Sequence, residues 1–111
     1  MSHTIILKNI AKHITLNTNE EALFVSLLEY QKVKSKKIIL RQGDVCRHSI
    51  FVTNGCLRGF TIDANGFEHV LSFAPQDWWI ADMYSLLSQK AGNLNIQAMV
   101  DTEMLLLSKV N

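Results

Sequence analysis

Few side chains in this 111-residue sequence have the type and spacing to do chemistry, and the densest group lies in one stretch. Asp77-Trp78-Trp79-Ile80-Ala81-Asp82 carries two carboxylates and two indoles. Paired carboxylates can divide acid and base work, but no histidine, serine–base pair or metal motif accompanies them here. Asp77 reads more simply as part of a loop before a helix, close to that helix's N-terminus. The four histidines, His3, His13, His48 and His69, never occur as His-x-His. That spacing would let two same-face strand positions converge on one ion. His69 follows Glu68, and strand neighbours point to opposite faces, so the histidines read as packed or solvated imidazoles. Cys46 and Cys56 are the only cysteines. They are too few for an iron–sulfur cluster, which takes four ligands, and read as small buried apolar residues. No nucleophile has a base beside it, so the chain does not read as an enzyme. Trp78 and Trp79 have two readings, as lid or core residues over an apolar wall, or as a surface on which a ring-bearing ligand stacks.

The elements that must position these residues follow from periodicity. Ile6, Ile10 and Ile14, with Leu7 and Ala11 beside them, suit an amphipathic helix over 3–14. Thr18 and Glu21 form a capping-box pattern that opens a helix over 19–29, with Leu23, Phe24, Leu27 and Leu28 on one face. Short apolar runs then alternate with turn residues. Strands are expected over 31–33, 37–41, 49–53, 57–63, 68–73, 95–100 and 103–107. Asn54-Gly55 and Asn65-Gly66 are turn signals of the kind in which both central residues take positive φ, and Gly43-Asp44 is a further turn. One stretch, 78–89, breaks the β texture and suits a short helix, with Pro75 in the loop before it. Many short strands around a single late helix indicate a mainly β barrel or jelly roll.

Composition sets the outer bounds. Apolar residues make up 48% and charged ones 19%, which excludes disorder. One domain of this length buries roughly two-thirds of its unfolded surface and needs no disulfide or structural metal. The net charge is +1. The one basic run, Lys32, Lys34, Lys36, Lys37 and Arg41, reads as the solvated face of a strand, so the chain by itself is not built to bind nucleic acid. No apolar run reaches the ~20 residues of a membrane span, and no signal peptide is read. With two cysteines, a reduced, cytoplasmic compartment is expected.

The order of these elements resembles the cyclic-nucleotide-binding domain of the Crp/Fnr superfamily of bacterial transcription regulators. The resemblance rests on Ile38-Ile39-Leu40-Arg41-Gln42-Gly43-Asp44, Ser49-Ile50-Phe51-Val52-Thr53-Asn54-Gly55-Cys56-Leu57-Arg58, Asp63-Ala64-Asn65-Gly66-Phe67-Glu68 and Ala98-Met99-Val100-Asp101-Thr102-Glu103-Met104-Leu105-Leu106. It implies a double-stranded β-helix, a jelly roll or β-roll, with N-terminal helices and a short cassette helix. It further implies a phosphate-binding cassette, in which a Gly-Glu pair opens the helix and a following arginine forks onto the phosphate. Here the Gly-Glu pair falls on Ala81-Asp82, and the arginine falls on or near Gly92. No arginine follows Arg58, and Lys90, a point charge unlike the arginine fork, is the sole nearby cation. Losing a charge-assisted contact of roughly 1.5–3 kcal/mol removes about one to two decades of affinity.

Ordinary cyclic AMP binding is therefore doubtful, and the cofactor is unknown. A ligand site is expected at Trp79, Ala81, Asp82, Met83, Tyr84, Ser85, Gly92 and Asn93, with Asn95 also reaching in. The resemblance implies a small-molecule effector, DNA contact through a C-terminal helix-turn-helix domain absent from these residues, and a homodimer; no membrane partner is expected. A long dimerisation helix would begin near Ser108-Lys109-Val110-Asn111, so the chain reads as a fragment. Two rivals stand beside the sensor. One is a ligand-free dimerisation module whose pocket is filled by Trp79, Met83 and Tyr84. The other is a cupin-like small-molecule or metal-binding protein, against which the missing His-x-His counts.

Overall fold

The computed structural model describes residues 3–108. Helix α1 (Thr4–Ala11) and helix α2 (Thr18–Ser26) precede eight strands. These are β1 (Leu28–Val33), β2 (Ile38–Leu40), β3 (His48–Asn54), β4 (Cys56–Ile62), β5 (Glu68–Pro75), β6 (Trp79–Ile80), β7 (Asn95–Ala98) and β8 (Thr102–Ser108). One further helix, α3 (Met83–Ser88), lies between β6 and β7. Two antiparallel four-stranded sheets face each other, in the orders β1-β8-β3-β6 and β2-β7-β4-β5. The expected β-roll is present.

Strand alternation explains the core. Ile50 and Val52 on β3, with Met104 and Leu106 on β8, point between the sheets and meet Leu57, Ala74, Ile80, Ile96 and Ala98. Phe51 and Leu105, one residue out of phase, point to the other face of the first sheet. There they are sealed under Ile6 of α1, with Phe24, Leu28 and Trp79 packed around them. Ile-Phe-Val and Met-Leu-Leu are thus continuous apolar runs because both faces of β3 and β8 are buried.

Several local expectations are corrected. The capping box belongs to Asn17 and Glu20, not Thr18 and Glu21. The Asn17 side chain accepts from the Glu20 N–H at 2.8 Å, and Glu20 accepts from the Asn17 N–H at 3.0 Å. Asn caps at least as well as Thr, so the pattern one residue earlier prevails. Leu23 and Leu27 stay exposed, and Leu28 and Glu29 leave the helix to pair with Leu107 and Leu106 of β8. The basic run is solvated but is not one strand. Lys32 lies on β1, Lys34, Lys36 (φ +72°) and Lys37 lie between β1 and β2, and Arg41 follows β2.

In the two Asn-Gly turns only the glycines have positive φ. The 63–67 turn is closed instead by the Asp63 side chain, which accepts from the N–H groups of Asn65 and Phe67 at 2.9 and 3.0 Å. At Gly55 (φ +107°) a Cβ would overlap the backbone of Asp101 and Thr102, so the β3–β4 turn can sit against β8 only with glycine there. Pro75 ends β5 opposite Cys56 rather than lying in a loop. Cys46 is buried as expected, Cys56 is half-buried, and both thiols are free. Among the described residues no helix is long and apolar enough to cross a membrane. Of the residues near which a following helix is expected, 108–111, Ser108 ends β8 and 109–111 lie outside the described residues.

Candidate ligand-binding cleft

The stretch read as one helix over 78–89 divides into three parts. Trp79 and Ile80 extend and pair with Phe51 and Ile50 on the edge of β3. Ile80 then points into the core, and Trp79 points the other way, towards α1. The helix begins only at Met83, because Asp82 is its N-cap: the carboxylate accepts from the Ser85 N–H at 3.1 Å. Gln89, in the left-handed conformation (φ 57°), ends it.

The short helix is stitched from behind to the turn after β2. The Ser85 hydroxyl accepts from the Cys46 N–H at 2.8 Å and donates to the Lys90 carbonyl at 2.5 Å. The Gln89 amide donates to the carbonyls of Cys46 and Leu86 at 3.1 and 2.8 Å. Backbone bonds tie Gly92 to the same turn: the Gly43 N–H reaches the Gly92 carbonyl at 2.8 Å, and the Gly92 N–H reaches the Asp44 carbonyl at 3.1 Å.

In front of the helix lies an open cleft of about 350 Å³, lined by Thr61, Leu71, Ala81, Asp82, Met83, Tyr84, Asn93 and Leu94. Five of the expected residues, Ala81, Asp82, Met83, Tyr84 and Asn93, meet here. Trp79 does not. It lines an adjoining hollow of about 250 Å³ with Ser49, Ser72, Ile80, Ala81 and Met83. Its ring packs on Phe51 at 5.1 Å between centroids, and its Nε1–H donates to Asn9 at 2.8 Å. Trp79 is therefore a half-buried packing residue, whereas Trp78 is 59% exposed.

Ser85, Gly92 and Asn95 lie behind the cleft wall, with their polar groups already engaged. Asn95 accepts from the Gln42 N–H at 2.8 Å and donates to the Phe60 carbonyl at 3.3 Å. Asp77 is not near the start of α3. It is held by α1, where the Asn9 amide donates to its carbonyl and carboxylate oxygens at 3.0 and 3.2 Å and Lys12 lies 3.6 Å away. Thr61, Leu71 and Leu94 escaped the sequence reading. Leu71 is aimed by a bulge: Gly59 pairs with Ser72 and Phe60 with Val70, which leaves Leu71 as the extra residue.

The charge pattern of the cleft is decided by Asp82. Its carboxylate is buried and receives two backbone donors, Ser85 N–H on one oxygen and Leu94 N–H on the other at 3.2 Å. Gly92 is pressed against that second oxygen, so a Cβ there would overlap the carboxylate. Among the described residues no Lys or Arg lines the cleft. Arg58, on the β4–β5 sheet, is spent on Gln97 at 2.6 Å, on Glu68 at 3.0 Å and over the Phe60 ring at 4.1 Å. The cross-strand pair with Glu68 is partly exposed and worth less than about 1 kcal/mol. Another groove of about 500 Å³ lies along 39–48, and its lining mixes Asp44 with Arg47 and His48.

Solved structures with this architecture include the catabolite activator protein of Thermus thermophilus. It is 27% identical, with a TM-score of 0.73 over 84% of this chain and 43% of that one. The sensor domain of the transcriptional regulator DNR from Pseudomonas aeruginosa gives a TM-score of 0.81 at 13% identity, over 95% of this chain and 69% of that one. The N-terminal domain of a transcriptional regulator from Streptomyces coelicolor A3(2) gives 0.74 at 17% identity, over 85% of this chain and 65% of that one. No curated protein matches the chain. The chain thus spans under half of the Thermus protein. The family model for the cyclic nucleotide-binding domain matches residues 30–111, which takes in both sheets and the cleft, and this chain belongs to that family.

Proposed function

We propose that this domain is the effector-sensing unit of a Crp/Fnr-type bacterial transcription regulator whose cassette does not hold cyclic AMP in the ordinary way. One observation carries the reading. The Asp82 carboxylate, which stands at the glutamate of the Gly-Glu pair that the resemblance implies, is folded back onto the backbone of Ser85 and Leu94. The place of the phosphate arginine is taken by Gly92, tight against that carboxylate. A cyclic phosphate entering here would meet a fixed anion and no cation, a desolvation cost without a compensating pair.

The cleft is open, and its exposed residues support a sensor over a filled, ligand-free module: Met83 and Tyr84 are 55% and 62% exposed and do not plug it. Occupancy would act on the Trp79–Asp82 segment and on whatever follows β8, biasing a two-state partner through differential binding. DNA contact and homodimerisation belong to further segments of the regulator. Two free thiols suit a reduced cytoplasm.

Calorimetric titration with cyclic AMP and cyclic GMP tests the reading. No heat and no thermal shift at millimolar nucleotide is the expected result. Micromolar or tighter binding would show that Lys90 or backbone groups replace the arginine, and the altered-cassette reading would fall.

A further inference from the structure

Resting on that sensor reading, we infer that the cleft takes a neutral, ring-bearing small molecule and discriminates against anions. The walls are apolar: Leu71, Met83, Leu94 and Ala81. Around them stand three side chains with unspent hydrogen-bonding capacity. Thr61, Tyr84 and Asn93 have no side-chain partner among the described residues, whereas every polar group behind the wall is engaged. An apolar hollow with a few convergent, unpaired polar groups is the usual form of a small-molecule site, and about 350 Å³ falls within the ordinary range.

The sign of the preference follows from charge. Among the described residues, the charged side chain on the wall is the Asp82 carboxylate, whose two oxygens already accept from Ser85 and Leu94. It has no cation beside it to attract a second anion, and its own charge repels one. A neutral ring meets no such cost. It can lie between Leu71 and Met83 and place a hydroxyl or amide edge against Asn93, Thr61 or Tyr84. Leu71, the extra residue of the β5 bulge, supplies one face of this slot.

Two probes that share a ring and differ in charge test the inference: naphthol, neutral at physiological pH, and naphthalenesulfonate, an anion. Calorimetry on the wild-type chain is expected to give naphthol at least about tenfold tighter binding than the sulfonate. Leu71→Glu, at a position 64% exposed, should keep the fold and weaken naphthol by about tenfold or more. Asn93→Arg, also at an exposed position, should reverse the order of the two probes. Circular dichroism confirms that each variant is folded. Sulfonate binding as tightly as naphthol, naphthol failing to saturate at millimolar concentration, or Leu71→Glu leaving it unchanged would overturn the inference. Cyclic AMP titrated alongside separates the two claims. Tight cyclic AMP binding sinks the altered-cassette reading whatever naphthol does. Silence from both nucleotide and naphthol sinks the ligand class alone.

Discussion

Asn9 and Asn93 flank the same short segment, 77–82, from opposite sides, and they do opposite things. Asn9 spends its whole side-chain amide, donating twice to Asp77 and accepting from Trp79. It sits beside a sealed cluster of Ile6, Phe51 and Leu105. Asn93 has no side-chain partner among the described residues and stands at an open cleft with Thr61 and Tyr84. The helix side of the segment is satisfied and packed, and even holds Asp77 at φ +74°, a conformation that costs a non-glycine residue energy unless its surroundings fix it. The cleft side is unsatisfied and open. Stability is thus concentrated on one side of the segment and binding capacity on the other, as expected where a rigid wall must present free groups to a ligand.

The contrast can be broken from its strongest point downward. Phe51→Ala should destabilise by about 3–5 kcal/mol, because the fully buried ring leaves a cavity under α1; urea unfolding would measure it. Asn9→Ala should cost about 1–3 kcal/mol by stranding the Trp79 Nε1–H and the Asp77 carbonyl. Asp82→Ala removes the α3 N-cap and the Leu94 clasp, for about 0.5–2 kcal/mol, and should alter the amide spectrum of 83–94 more than that of α1. Asn93→Ala and Tyr84→Phe should each stay within about 0.5 kcal/mol of the parent. If Asn93→Ala cost as much as Asn9→Ala, the division between the two sides would be wrong.

The mildest test uses acid. His69, then the Phe67 and Asn65 N–H groups, hold the Asp63 carboxyl below its ordinary range, and donation from Tyr30, then Asn54, does the same for Glu103. Both folded values are depressed, so their stabilisation is fully present above the ordinary carboxylate pKa of about 4. It is lost as pH falls through the lower folded values. Neither group lines the cleft or belongs to the cluster under α1. Acid should therefore lower the melting temperature without changing the relative effects of Asn9→Ala and Asn93→Ala. Tyr30→Phe should flatten that acid limb in a melting series.

Much of the scaffold was legible because the period-2 alternation and the turn residues act locally. The strands between 28 and 108 were found to within a few residues, save β6, and Ser49-Ile50-Phe51-Val52-Thr53 marked the centre of the first sheet. Locality also explains the failures. Trp79-Ile80 favours a strand by residue type but is too short to show alternation, and its extension is fixed by pairing with the edge of β3. Thr18 with Glu21 and Asn17 with Glu20 are both capping-box patterns, and the margin between Asn and Thr as caps is too small to be read from residue type alone.

For the cleft, the sequence by itself determined the residue types: Ala81 where the resemblance expects glycine, Gly92 where it expects arginine, Asp82 between them, and the absence of any later arginine. Those are facts of composition and order, and they fix which charges can be present. Only the tertiary structure decided where the charges go. It turned the Asp82 carboxylate onto Ser85 and Leu94, drew Ser85, Asn95 and Trp79 away from the opening, and brought in Thr61, Leu71 and Leu94 from separate strands and a loop. The physical reason is that hydrogen-bond satisfaction is a competition among all buried groups at once, and its outcome depends on which elements meet in space.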